Sequence, residues 1–261
     1  MIHQTAIIDP SAKIADDVEI GPYSIIGANV KIDSGTWIGP HVVINGPTKI
    51  GKDNRIFQFA SIGEEPQDLK YNGEEVELII GDNNTIREFT LFNPGTAGGG
   101  SKTIIGSHNL FMGYVHVGHD SIIGSHCIFA NAATIAGHVE IGDHVVVGGM
   151  TPIHQFVHIG DYAMVAGASA LSQDVPPFCM AEGNRAGLRG LNLTGLRRKV
   201  EREDINELKS AYRELFEKGR PLKEAAQEIL DQTDNRFAKE LANFVIKTKR
   251  GIAFERKAND S

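Results

Sequence analysis

The sequence predicts a parallel β-helix, an all-β prism of stacked coils, followed by a small α-helical domain. The first observation is a ladder of isoleucines at positions 2, 8, 14, 20, 26, 32, 38, 44, 50, 56 and 62. No α-helix repeats every six residues, and a hairpin sheet would show a period of two broken by turns. The second observation is that the six-residue spacing of apolar side chains starts again at residue 105 after an interruption. The third is a change to helical spacing near residue 188.

Each hexad is expected to form one side of a coil, so that three hexads complete a coil of about 18 residues. The branched side chain of the ladder residue points into the bore. The next residue is often glycine, as at Gly21, Gly27, Gly39 and Gly51, and we expect the chain to turn there. The whole ladder predicts about nine coils, stacked at the strand spacing of roughly 4.8 Å.

Length and charge narrow the possible functions. The chain has 261 residues and a formal net charge of -7, whereas general nucleic-acid binding requires a basic surface. No apolar run approaches the roughly 20 residues of a membrane span, and the repeat already runs at Ile2, so we expect no signal peptide. Two cysteines, Cys127 and Cys179, are too few for a disulfide framework. We expect a reduced, cytoplasmic protein.

The first departure from the repeat, residues 64–78, keeps the hexad phase. We therefore expect it to leave the prism as an excursion and to return. It contains Gln67, Asp68 and Lys70. Loops on a rigid scaffold often carry functional residues, and a solvated charged loop is the alternative explanation.

The second departure, residues 93–104, contains a glycine-rich run. A phosphate-binding loop does not fit this run, because Ser101 stands where that motif requires lysine. No helix follows either, since the β repeat restarts at Ile105. We therefore expect a flexible segment here.

The resumed ladder contains the groups best suited to catalysis, namely His116, His119, Asp120, His138 and His154. With about 18 residues to a coil, His138 is expected to stack on Asp120 and Gly137 on His119. Histidine is the side chain best placed to move protons near pH 7. The pattern predicts a base, an orienting carboxylate and, at Gly118 and Gly137, freed backbone N–H groups for an oxyanion.

A zinc site is the alternative explanation for these histidines. His116 and His119 lie three residues apart across a strand and a turn, and His154 and His158 occupy different positions of the hexad. No thiolate joins either pair. We expect a site without metal or other cofactor, and a metal-dependent hydratase or hydrolase stays open as a competing function.

The repeat ends in residues 172–186, where proline occupies the next ladder position and cannot donate a hydrogen bond. From about residue 188 the apolar spacing is helical. We place a β-helix domain at 1–186, with excursions at 64–78 and 93–104, and a C-terminal α-helical domain at 187–261. Basic clusters in the second domain indicate an anionic partner or a solvated helix face; they include Arg197, Arg198, Lys199, Lys247, Lys249 and Arg250.

The chain closely resembles the UDP-N-acetylglucosamine 3-O-acyltransferase family, which opens lipid A synthesis. The resemblance covers nearly the whole chain and rests on the ladder, QFASIGEEPQDLKY, HVGHD, ATIAGHV, GGMTPIHQF, SQDVPP and the helical tail. The ladder alone specifies only a large acyltransferase superfamily, and the ordered set of segments is far more specific. The resemblance implies a left-handed β-helix and a homotrimer with active sites between subunits. It also implies transfer of a 3-hydroxyacyl group from acyl carrier protein to the sugar 3-hydroxyl.

The motif match also implies roles for single residues. His119 would be the general base, Asp120 would orient it, and the N–H of Gly137 would receive the thioester oxyanion. Gly167 falls at the family's acyl-chain ruler, where so small a residue implies a long chain. The implied substrate-binding residues are Gln67, Asp68, Lys70, His116, His138, His154, Gln155, Asn192 and Arg198.

The chain departs from the family pattern at three places. Asn93 and the proline after it stand where a His-Arg pair is common, Thr194 stands where Glu is common, and Lys199 stands where Arg is common. The departures leave the nucleotide contacts open, and also whether the acceptor carries a 3-hydroxyl or a 3-amino group. A related acyltransferase that acts on the acylated glucosamine and a non-catalytic β-helix used as a binding surface are the remaining alternatives.

Overall fold

The computed structural model describes residues 1–253. Residues 254–261, the end of the predicted helical domain, lie outside this range. The described chain contains short strands, four α-helices and a 3-10 turn at Ala97–Gly99. The elements are β1 (Ile7–Ile8), β2 (Lys13–Ile14), β3 (Glu19–Ile20), β4 (Ile25–Ile26), β5 (Val30–Ile32), β6 (Trp37–Ile38), β7 (Val43–Ile44), β8 (Thr48–Ile50), β9 (Arg55–Ile56), β10 (Ser61–Ile62), β11 (Glu77–Ile80), β12 (Thr85–Ile86), β13 (Leu91–Phe92), β14 (Lys102–Ile105), β15 (Leu110–Phe111), β16 (His116–Val117), β17 (Ile122–Ile123), β18 (Ile128–Phe129), β19 (Thr134–Ile135), β20 (Glu140–Ile141), β21 (Val146–Val147), β22 (Pro152–Ile153), β23 (His158–Ile159), β24 (Met164–Val165), β25 (Cys179–Glu182), β26 (Gly187–Leu191), α1 (Leu193–Leu196), α2 (Arg202–Phe216), α3 (Leu222–Gln232) and α4 (Arg236–Lys247).

The strands form three sheets, which are the three sides of the prism. The first sheet has the order β1-β4-β7-β10-β13-β16-β19-β22, the second β2-β5-β8-β11-β14-β17-β20-β23, and the third β3-β6-β9-β12-β15-β18-β21-β24-β25-β26. Every third strand therefore lies on the same side. Ile8 pairs in parallel with Ile26, and Ile26 with Ile44, so the coil length that the ladder predicts is confirmed.

The ladder side chains fill the bore, as predicted. Ile38, Ile44 and Ile62 are fully buried. Farther along, Phe111 and Phe129 take the ladder positions and their rings stack with centroids 4.9 Å apart. Burial of a side chain of this size stabilises the fold by roughly 1.5–3 kcal/mol relative to its exposure, so the ladder is the core of the prism.

At Gly21 and Gly27, as at most glycines that follow ladder residues, the prediction of a turn is wrong, whereas Gly63 does take the left-handed conformation, with φ 78°. The left-handed backbone conformation falls two residues later, for example at Tyr23 and Asn29, both with φ 59°. Gly21 is required for another reason. A Cβ at this position would lie 2.7 Å from the carbonyl carbon of Gly39 on the next coil, so the close approach of adjacent coils excludes a side chain.

The turns between the sheets form three corners that run the length of the prism. The first corner follows the strands of the first sheet, the second corner those of the second sheet, and the third corner those of the third. Equivalent turns of successive coils stack on one corner. Rings show this stacking on the second corner, where His126 lies between His108 and His144 at 4.8 Å from each.

The third sheet extends beyond the predicted end of the repeat. β25 pairs in parallel with β24, and β26 returns antiparallel to β25. Residues 187–191, which the sequence placed in the helical domain, are therefore a strand, and the first helix begins at Leu193. The reason is local pairing: β26 covers a backbone edge that β25 would otherwise leave open.

The helices α2, α3 and α4 pack into a small core, with Leu208, Leu215 and Leu241 buried, as their helical spacing predicts. Ring contacts attach this core to the last coils. Phe237 meets Phe178 edge-on at 5.6 Å. Among the described residues, no helix combines the length and the apolarity that a membrane crossing requires.

Candidate active site

His119 and Asp120 occupy the turn after β16, on the first corner. The Asp120 side chain is fully enclosed and its Oδ2 lies 2.8 Å from Nδ1 of His119. An ionised carboxylate only accepts hydrogen bonds, so Nδ1 carries the proton. The neutral imidazole then has its free lone pair at Nε2, which can accept a proton from a bound substrate.

Gly137 lies beside His119 on the next coil, as predicted. A Cβ at Gly137 would lie 2.6 Å from Nε2 of His119, so only glycine leaves room for the imidazole. Within residues 1–253 the N–H of Gly137 has no hydrogen-bond partner, whereas the N–H of Gly118 donates to the carbonyl of Ile135 at 2.8 Å. The prediction of a second free N–H at Gly118 is therefore wrong.

His138 completes the cluster. Its ring stands edge-on to His119 with centroids 5.0 Å apart, and Nε2 lies 3.9 Å from Oδ2 of Asp120. Phe156 stacks on His138 at 4.5 Å. Burial lowers the pKa of His138, although the charge of Asp120 opposes this effect. The ring is thus neutral near pH 7 and available for a hydrogen bond to substrate.

The second excursion closes over Asp120, and the expectation of a flexible segment is wrong for this part of it. The N–H of Thr96 donates to Oδ1 of Asp120 at 2.8 Å, and the Thr96 hydroxyl donates to Oδ2 at 2.6 Å. Thr96 is buried. The sequence reasoning missed this residue, because a glycine-rich composition gives no sign of a buried partner.

Two clefts meet at His138 and Phe156. The first, of about 330 Å³, lies between the excursions, and Asp68, Lys70 and Thr96 also line it. The second, of about 550 Å³, continues toward the C-terminal tail. Its far wall includes Lys247, Lys249 and Arg250, and the carboxylates of Glu140 and Asp174 also line this cleft.

Other predicted substrate-binding residues surround this corner without entering the cluster. His154 is exposed, and Nη2 of Arg250 lies 2.9 Å from its Nδ1. Gln67 and Gln155 are exposed. Phe156 was not singled out by sequence, yet it lies about one coil beyond His138, so the same stacking arithmetic could have found it.

Asn192 and Arg198 lie elsewhere. Asn192 is buried at the start of α1, where Nδ2 donates to the carbonyl of Tyr162 at 3.0 Å and Oδ1 accepts from the N–H of Gly195 at 3.1 Å. Tyr162 stacks on His144 and so stands on the second corner. Arg198 follows α1 and is exposed.

Gly167 stands on the third corner, after β24. A Cβ there would meet the carbonyl oxygen of Gly149 at 3.4 Å, an ordinary contact. The residues predicted to form one site therefore lie on three different corners of the prism. Within the described part of a single chain they do not come together.

A metal ion could be held by a different set of groups from the pairs weighed in the sequence. His119, Asp120 and His138 offer ligand atoms within 4.8 Å of one another. Nδ1 of His119 and Oδ2 of Asp120 lie 2.8 Å apart, and in the tautomer inferred above the Nδ1 proton lies between them. A metal bound to both groups would have to displace this proton, so the arrangement suits proton transfer better.

The chain matches known proteins over nearly its whole length. A family model described as UDP N-acetylglucosamine O-acyltransferase, domain 2, matches residues 174–253, and a model of the bacterial transferase hexapeptide matches residues 1–34 and 102–137. The acyl-[acyl-carrier-protein]–UDP-N-acetylglucosamine O-acyltransferase of Sulfurimonas denitrificans is 76% identical over 98% of both chains. The chain belongs to this acyltransferase family.

Other members of the family also match this chain over nearly its whole length. The enzyme of the same name from Aliarcobacter butzleri is 66% identical, over 98% of this chain and 99% of its own. The solved UDP-N-acetylglucosamine acyltransferase from Campylobacter jejuni superposes with a TM-score of 0.95 at 44% identity, over 98% and 100% of the two chains. The fold is therefore the left-handed β-helix with a small C-terminal helical region.

In this acyltransferase, Gly137→Ala is expected to lower kcat about a hundredfold, because the new methyl group displaces the His119 imidazole and a shift near 1 Å has such an effect. Steady-state kinetics and the thermal unfolding midpoint would be measured together. The matched control is Gly187→Ala, where a Cβ meets only the carbonyl oxygen of Ala253, at 3.9 Å. Unchanged kcat in Gly137→Ala would contradict the placement of His119.

The stability of the acyltransferase is expected to fall as the pH drops below about 6.5. Burial lowers the pKa of His116, whose ring lies against the carbonyl of Leu91. The pKa of His116 is lower in the folded protein than in the unfolded chain. The stability that neutral His116 contributes is therefore fully present above the unfolded pKa and is lost as the pH falls through the folded pKa. Thermal midpoints would be compared from about pH 7.5 to about pH 5.5. His116→Gln should flatten the decline, and an equally steep decline in both proteins would contradict the assignment.

Proposed function

We propose that this acyltransferase moves a 3-hydroxyacyl group from acyl carrier protein to the 3-hydroxyl of UDP-N-acetylglucosamine, the first step of lipid A biosynthesis. One observation carries the proposal. The Nε2 lone pair of His119, set by the Nδ1 hydrogen bond to Asp120, lies beside the N–H of Gly137, which has no hydrogen-bond partner among the described residues. Acyl transfer from a thioester needs these two elements, a base and an oxyanion donor.

The proposed reaction begins when Nε2 of His119 takes the proton of the sugar 3-hydroxyl. The oxygen attacks the thioester carbonyl carbon, a C–O bond forms, and the N–H of Gly137 stabilises the oxyanion. The oxyanion then collapses and the C–S bond breaks. The departing thiolate takes the proton from the His119 imidazolium, so that the free thiol and the neutral ring return. Asp120 stabilises the imidazolium throughout.

The remaining residues are proposed to bind the substrates. Asp68 and Lys70 line the first cleft with His138, beside the base, and would hold the sugar and its diphosphate. The lysines and the arginine in the far wall of the second cleft suit an acidic donor, and acyl carrier proteins are acidic. This choice of donor and acceptor also supports a cytoplasmic location.

We further propose that the enzyme is a homotrimer and that each active site lies between two subunits. The support is the distribution of the implied residues over three corners of the prism. In a closed ring of copies, the side of the prism between the second and third corners of one subunit can face the first corner of its neighbour. Asn192, Arg198 and Gly167 would then complete the site around His119 of the adjacent subunit.

Mixed trimers test this arrangement. His119→Ala and Arg198→Ala chains would be co-expressed with different affinity tags and purified through both. Some clefts then combine an intact His119 from one subunit with an intact Arg198 from the next. Activity above the sum of the two pure variants is expected, and its absence, or a native mass other than three times 28.3 kDa, would refute the shared site.

The reaction itself is tested with UDP-N-acetylglucosamine and a panel of 3-hydroxyacyl carrier proteins of different chain lengths, with product mass as the readout. Transfer of a long chain is expected, in accordance with Gly167. If no chain length is transferred, the 3-amino analogue of the sugar nucleotide becomes the acceptor to examine. Transfer to neither acceptor would refute the proposed function, and the family fold would stand without it.

A further inference from the structure

We infer that residues 93–101 of the second excursion are a positioning strap, in which Thr96 and Gly99 hold the Asp120 carboxylate in the orientation that His119 requires. Thr96 is thus a positioning residue that acts through Asp120 and His119. The inference deepens the proposed function and rests on it, because it assigns the strap a part in the same proton transfer.

The carboxylate is held from three directions. The N–H of Thr96 occupies Oδ1 at 2.8 Å, and the Thr96 hydroxyl shares Oδ2 with Nδ1 of His119, at 2.6 and 2.8 Å. The backbone N–H of Asp120 itself donates to the Thr103 hydroxyl at 2.8 Å. Hydrogen bonds to a charged carboxylate are about twice as strong as neutral ones, so rotation of the carboxylate away from His119 is opposed at both oxygens.

Thr96 is also the centre of its own turn. Its carbonyl accepts from the N–H of Gly99 at 3.0 Å and from the N–H of Ser101 at 2.9 Å. The backbone hydrogen bonds of the turn therefore converge on Thr96, the residue that donates to Asp120. Movement of the turn would move both donors at once.

The structure explains one glycine of the run, Gly99. A Cβ built on Gly99 would lie 2.0 Å from Cγ of Asp120. The backbone of the strap thus lies directly against the carboxylate and covers it from solvent, which accounts for the complete burial of that side chain. The glycine is required here for close approach.

The strap is anchored at its start. The N–H of Asn93 pairs with the carbonyl of Val117, and its Nδ2 donates to the carbonyls of Glu64 and Glu65, all at 3.0 Å. Asn93 is buried. It joins the second excursion both to the coil that carries His119 and to the first excursion, so this departure from the family pattern serves the same support.

The kinetic test compares Thr96→Val with Thr96→Ser. Valine keeps the shape and the backbone donor but loses the hydroxyl, so kcat is expected to fall roughly tenfold or more, with KM for both substrates nearly unchanged. Serine restores the hydroxyl and should restore most of kcat. The control is Thr36→Val, since the buried Thr36 hydroxyl donates to the carbonyl of Gly51 at 2.9 Å and accepts from the N–H of Asn54 at 3.2 Å, both far from the cluster; its kcat should not change even if its unfolding midpoint falls.

A second variant, Gly99→Ala, places a methyl group against the carboxylate and is expected to lower kcat about a hundredfold. The low-field proton NMR signal of the His119 Nδ1 proton gives a readout that does not depend on turnover. It should persist in Thr96→Ser and shift or broaden in Thr96→Val and Gly99→Ala.

Two results would overturn the strap. The first is an unchanged kcat in both Thr96→Val and Gly99→Ala. The second is an NMR signal of the His119 Nδ1 proton that, in both variants, is identical to that of the unmodified protein. These results differ from failure of the proposed function, in which the unmodified protein itself transfers no acyl group. The NMR readout decides the strap in that case as well.

Discussion

His119→Ala is expected to lower kcat by about 10²- to 10⁴-fold, because the variant has no imidazole to take the proton of the acceptor hydroxyl. KM for the sugar nucleotide should change little, since the contacts of the first cleft remain. The measurement is steady-state acyl transfer followed by product mass, with the native mass and the unfolding midpoint recorded on the same preparation.

The control for this variant is His41→Ala. His41 lies on the third corner, stacked between Tyr23 and Phe59 at 5.2 and 5.4 Å, in a coil remote from β16. It should keep full kcat. Turnover in His119→Ala within about tenfold of the unmodified enzyme would rule out His119 as the base.

Asp120→Asn is expected to lower kcat roughly a thousandfold with little effect on the fold. The N–H of Thr96 faces one oxygen of Asp120 at 2.8 Å, so the asparagine amide oxygen must take that position. Its NH₂ group then faces Nδ1 of His119 and donates to it. The imidazole proton moves to Nε2, and the ring can no longer act as a base there.

A control variant separates the loss of kcat in Asp120→Asn from unfolding of the protein. Asp82→Asn is a matched control, because Oδ1 of Asp82 accepts from the N–H of Lys52 on an adjacent coil and takes no part in the cluster. The His119→Ala, Asp120→Asn double variant should be no slower than His119→Ala alone, since the two residues act as a unit. Additive losses would show that Asp120 acts by a route other than His119.

The ladder and the coil length were readable from the sequence because a period of six permits no other regular fold. The same arithmetic brought His138 above Asp120 and Gly137 above His119, and both stackings are present. A one-dimensional repeat converts sequence separation into spatial neighbourhood, so the centre of the site could be predicted without coordinates.

Prediction failed at the departures from the repeat and at most of the coil glycines. Nothing in the run GGG indicates that Gly99 lies against a carboxylate, because that contact joins residues that no period relates. The role of the coil glycines was likewise misassigned, since the turn conformation at Tyr23 and the close approach at Gly21 are properties of neighbouring coils.

The sequence by itself determined the repeat, the stacking along each corner and thereby the pair of His119 and Asp120 with Gly137. Only the tertiary structure decided that, within residues 1–253, the N–H of Gly137 has no partner while that of Gly118 is paired, and that Thr96 donates two hydrogen bonds to Asp120. It also decided that Asn192 and Gly167 stand on other corners than His119. The physical reason is that a repeat specifies neighbours along the prism axis, whereas the excursions and the arrangement around the prism depend on contacts between segments that share no period.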